Sequence, residues 1–102
     1  MYKHEIIAAA DKLAEAAQST IISWSAKQML REQLYSLVTN ALKQRLAAAR
    51  YNNDDVAIDG CARTLAKVYS KPSVGVLLAV TDLLYATNYS TSGAMSNESK
   101  IK

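Results

Sequence analysis

Between Leu30 and Leu46 apolar side chains recur at intervals of three and four: Leu30, Leu34, Leu37 and Ala41, with Val38, Leu42 and Leu46 carrying the stripe on with a slow drift. An α-helix turns about 100° per residue, so this spacing lines one side of a cylinder, whereas a strand would need alternation. The stripe predicts a long helix that must bury one face against other elements. In a chain of 102 residues that means a single domain around a single core. Seventeen alanines and eleven leucines, with no phenylalanine, favour helix elsewhere too.

The same rhythm opens the chain. Ile6, Ala10, Leu13, Ala17, Ile21 and Trp24 follow spacings of 4, 3, 4, 4 and 3. They predict a first helix from about Lys3 to Ile22, lined by Ala9, Ala10, Ala14 and Ala17; the β-like residues of Ser19 to Trp24 make an end near Gln18 the alternative. Ser25 and Gln28 have the spacing of a capping box, which starts the second helix there and runs it to Arg50 or Tyr51. Asn52, Asn53, Asp54 and Asp55 prefer turns and helix N-caps, so a third helix begins among them, with Ile58, Cys61, Leu65 and Tyr69 on its buried face beside Ala62 and Val68. Ser70, Lys71 and Pro72 break it, and Pro72 suits the first turn of a fourth helix. Val74 to Tyr85 is apolar nearly all round, as in a central helix or an interface, although Val74, Val76 and Val80 also permit a strand. The fold expected is an all-α, four-helix bundle-like domain over residues 1–88, followed by a flexible polar tail over 89–102.

Several chemistries are excluded by inventory. Cys61 and His4 stand alone of their kinds and far apart, so no intrachain disulfide forms and no zinc shell of soft ligands can assemble. Three glycines and one proline leave no phosphate-binding loop, and a catalytic triad would have to use His4, near the first residue. The longest apolar run, Val74 to Val80, is far shorter than the roughly 20 residues a membrane span needs. The charged residues following Ile6 to Ala10 are foreign to a signal peptide. A cytoplasmic protein without cofactor or metal, and not an enzyme, is the expectation.

The net charge of +3 is unevenly placed. Between Ala26 and Asn52, Lys27, Arg31, Lys43, Arg45 and Arg50 face only Glu32. On a helical wheel Lys27, Arg31 and Arg45 fall within roughly 40° of one another, with Lys43 and Arg50 well away, so they form two small groups that either keep the helix solvated or meet an anionic partner. Tyr35, beside Arg31 and Glu32, is the candidate interface anchor, its plainer role being packing at the core margin. Leu65 to Leu78 is a weak match to a helix-turn-helix, because Ser73, Val74, Leu77 and Leu78 would occupy the base-reading positions. Asp55, Asp59, Arg63 and Lys67, four apart, read as surface ion pairs rather than a carboxylate pair for acid-base work. Asp82 interrupts the most apolar helix and reads as an edge position, Cys61 as a small core residue, and Gly60 as a site of close helix approach.

Three functional classes follow. The first is a non-enzymatic protein-binding module, an adaptor or inhibitor occupying a surface of a larger partner, as small motif-free helical accessory proteins of phages and mobile elements do to host machinery. The second is a weak, salt-sensitive nucleic-acid binder using the basic residues of the second helix. The third, an enzyme, finds no supporting constellation. For the first, the expected partner-binding residues are Lys27, Arg31, Tyr35, Lys43, Arg45 and Arg50. A homodimer burying part of the second or fourth helix is expected from the missing polar face of the latter.

Overall fold

The computed structural model describes residues 3–87, and the expected tail, 89–102, lies outside them. Four helices follow one another: α1 (Lys3–Gln18), α2 (Trp24–Tyr51), α3 (Asp55–Ser70) and α4 (Val74–Tyr85). No strand occurs among the described residues, so Val74–Tyr85 is helical and the domain is all-α. Connections of three to five residues force each helix to run back along its predecessor. The result is an up-down-up-down arrangement in which α2 and α4 are parallel.

Boundaries follow from local hydrogen bonds. Ser23, in extended conformation, caps α2 by accepting the Ala26 N–H at 3.1 Å, two residues before the expected Ser25. The Ser19 hydroxyl accepts the Ile21 N–H at 3.2 Å, which turns the chain as soon as α1 ends at Gln18. This reversal takes Ile21 and Trp24 out of phase with α1. Both were expected on its buried face, and they are 92% and 73% exposed. The α1 face also shifts by one residue at its end, with Ala16 buried and Ala17 exposed. Asp54 caps α3 through the Ala57 N–H at 3.1 Å. Ser73 caps α4 through the Val76 N–H at 3.3 Å, so Pro72 precedes the cap instead of entering the first turn: the hydroxyl defines the boundary.

The core joins all four helices through Ile6 and Leu13 of α1, Leu34, Val38 and Leu42 of α2, Val68 of α3 and Leu77 of α4. Two threonines are buried with them, and each donates its hydroxyl proton to a carbonyl one turn back: Thr39 to Tyr35 at 2.9 Å and Thr81 to Leu77 at 2.9 Å. A buried hydroxyl left unpaired would cost about 1–3 kcal/mol, and these local bonds remove that penalty. On α3, of the face expected to be buried, Leu65 and Val68 are buried, Ile58 and Cys61 half-buried, and Ala62 and Tyr69 exposed, Tyr69 packing at the margin against Tyr35.

Gly60 does not serve close helix approach. A Cβ placed there would meet nothing within 4 Å. Without a steric role, a glycine inside a helix only loosens it, by roughly 0.8–1 kcal/mol relative to alanine. Gly60→Ala is therefore expected to raise stability by about 0.5–1 kcal/mol in urea unfolding; a loss of stability would show that the glycine is required by packing.

Candidate functional site

The five basic residues of α2 divide by what the fold does with them. Arg31 is largely covered, its side chain 23% exposed. It donates from Nη1 to the Pro72 carbonyl at 2.8 Å and from Nε to Gln28 Oε1 at 2.8 Å, while Nη2 stands 4.0 Å from Glu32 Oε2. Arg45 donates from Nη2 to the Leu84 carbonyl at 3.3 Å, and its guanidinium lies over the Tyr85 ring, 5.5 Å from the centroid. Lys27 donates from Nζ to the Ser19 carbonyl at 2.9 Å, closing the α1–α2 connection. Lys43 and Arg50 are exposed, seven residues apart on one stripe of α2.

The two arginines act on the two ends of one helix. Arg31 holds the carbonyl of Pro72, just before α4, and Arg45 holds that of Leu84 in its last turn. Fourteen residues of α2 rise about 21 Å, close to the roughly 18 Å length of the twelve-residue α4. At the C-terminal end the guanidinium also meets carbonyls carrying the negative pole of the helix dipole. Removing Arg31 leaves a partly covered carbonyl without its charged donor. Arg31→Met, which keeps much of the stem, is expected to cost about 1–2 kcal/mol, whereas Lys43→Ala and Arg50→Ala are expected to stay within about 0.5 kcal/mol in the same denaturation assay.

Tyr35 is half-buried against the core and pairs with Tyr69, ring centroids 6.5 Å apart and planes tilted by 58°. It belongs to the core margin and also to a surface stripe that includes Trp24, Gln28 and Arg31, at helical intervals of 4, 3 and 4. Trp24 was not read as a site residue in the sequence because its spacing continues the α1 rhythm. Its equal fit to the stripe of Arg31 and Tyr35 is the signal that places it, once α2 begins at Ser23. On another side of the same helix end, Ile22, Ala26, Met29, Leu30 and Gln33 line a groove of about 530 Å³, with Met29 72% exposed.

The remaining candidates carry less chemistry. Leu77 and Leu78 are buried, so α4 turns its would-be base-reading residues into the core. Asp59 and Arg63 form an ion pair of 2.8 Å with both side chains mostly in solvent, an arrangement worth about 0.3–0.5 kcal/mol. Asp82 is half-buried. Cys61 is half-buried too, in a shallow groove of about 230 Å³ with Ala57, Gly60, Thr64 and Leu83. Among the described residues no group of three or more His, Cys, Asp or Glu is placed to hold a metal ion, and no helix is long and apolar enough to cross a membrane. No family model, curated protein or solved structure matches the chain.

Proposed function

We propose that the protein is a non-enzymatic binding module, an adaptor or inhibitor acting in the cytoplasm by occupying a surface of a larger protein. The observation that carries this reading is the exposure of Ile21, Trp24 and Met29 around the start of α2. Large apolar side chains gathered at one end of a small domain are costly in water and are the groups from which interface hot spots are made.

Affinity purification from native cells, with and without nuclease, is the direct test. A stoichiometric protein that survives nuclease is the expected result. Recovery of nucleic acid alone, lost on nuclease treatment, would replace this reading by the nucleic-acid one, whose basis is the exposed pair Lys43 and Arg50 on one stripe of α2.

Self-association belongs to the same proposal. The outward side of α4 carries Gly75, Ala79 and Leu83, the last 72% exposed, in a helix whose single charged residue is Asp82. A surface helix this poor in charge suits a two-fold contact with a second copy. Light scattering at high micromolar concentration should give the dimer mass, and Leu83→Glu should return it to the monomer; a monomer mass for the unaltered protein removes this part of the proposal.

A further inference from the structure

We propose that the end of the bundle where α2 outruns its neighbours is a docking surface for an acidic segment of a partner protein, built on Trp24, Arg31, Tyr35 and Tyr69 and rimmed by Lys27 and Lys71. This rests on the protein-binding reading above and gives it a place and a chemistry.

The surface is fixed by two contacts already described. Tyr69 of α3 packs on Tyr35, and the Pro72 carbonyl of the α3–α4 connection is held by Arg31. Beyond Pro72 the chain turns back into α4. Trp24 lies seven residues past Arg31 on the same stripe, about 10 Å further along the axis, where the connection no longer accompanies it. That is why the indole is 73% exposed, and Tyr69 at the same edge is 49% exposed. Trp, Tyr and Arg are enriched among the residues that carry most binding energy at protein interfaces, and two helices of this fold, α2 and α3, bring them to one edge.

Charge selects the partner. Lys27 and Arg31 on α2, Lys67 in the last turn of α3 and exposed Lys71 on the connection stand against Glu32 and, in the last turn of α1, Glu15. The excess is two positive charges. Arg31 uses Nη1 and Nε within the fold, whereas Nη2 reaches only Glu32 at 4.0 Å, longer than a charge-assisted hydrogen bond. An incoming carboxylate fits that outer edge of the guanidinium, a second fits Lys71, and the apolar part of the segment lies on Trp24.

Trp24 is the single tryptophan of the chain and reports directly on its own surroundings. The full-length protein is titrated with a short synthetic peptide of alternating glutamate and leucine, and separately with oligothymidylate, while tryptophan emission is followed. The acidic peptide is expected to shift the emission to the blue and saturate, with affinity falling as salt rises. Lys71→Glu should weaken it about tenfold, the scale of losing one favourable contact and adding a repulsive one. Trp24→Ala, with its helix content verified by circular dichroism, should abolish binding of a fluorescently labelled peptide. The proposal is overturned if the peptide leaves the emission unchanged, if Lys71→Glu binds as tightly as the unaltered chain, or if only oligothymidylate shifts the emission. Should the peptide fail while native purification still returns a protein partner, this surface is wrong and the binding-module reading stands; purification without any protein partner removes that reading itself.

Discussion

Two guanidinium groups on α2 tie down the two ends of α4 in the bundle. Apolar burial drives the helices together but has no direction, and α4 is apolar around most of its circumference, so burial alone would accept several rotations and axial positions. Hydrogen bonds from Arg31 to Pro72 and from Arg45 to Leu84 are directional, and they act at the two ends. Together with the half-buried cap at Ser73 they add direction to the apolar packing. Leu77, Leu78, Val80 and Thr81 then point inward, and the opposite side, with Gly75, Ala79, half-buried Asp82 and exposed Leu83, points out.

The spine for this arrangement is α2 itself. With 28 residues it rises about 42 Å, against roughly 24 Å for α1 and α3. A helix so much longer than its partners cannot be covered along its whole length. The middle, from Leu34 to Leu42, carries the core, and the first turns carry apolar side chains with little to bury them. The uncovered end is thus a geometric consequence of unequal helix lengths, and it leaves Ile21, Trp24 and Met29 in contact with water.

Much of this architecture could be read from the sequence. Spacing located the first three helices and a long apolar run the fourth, and the turn-forming run Asn52 to Asp55 and the break at Ser70, Lys71 and Pro72 marked two of the three connections, since these residues act through local hydrogen bonding and backbone restriction. The connection after α1 was half legible, its position near Gln18 standing as the alternative to a helix running on to Ile22, because Ile21 and Trp24 keep the helical interval and only the hydroxyls of Ser19 and Ser23 turn the chain there. Gly60 misled in another way, because a glycine needed for close packing and one lying in open space look alike in sequence. The site was partly legible. Lys27, Arg31 and Arg45 were recognised as a group apart from Lys43 and Arg50, but that the first group would bond to carbonyls of the same chain depends on a fold that brings Ser19, Pro72 and Leu84 within reach.

The separation of Arg31 and Arg45 has a further meaning for how the chain tolerates change. Fourteen residues make nearly four whole turns, so both side chains leave α2 in almost the same direction. Deleting one residue between them would swing Arg45 by about 100° and part it from Leu84, while Arg31 kept Pro72. The interior of α2 thus works as a ruler whose gradations are helical turns. Length variation should be confined to the Ser19–Ser23 connection and the stretch after Arg50, where one residue more or less alters no phase between the clamps.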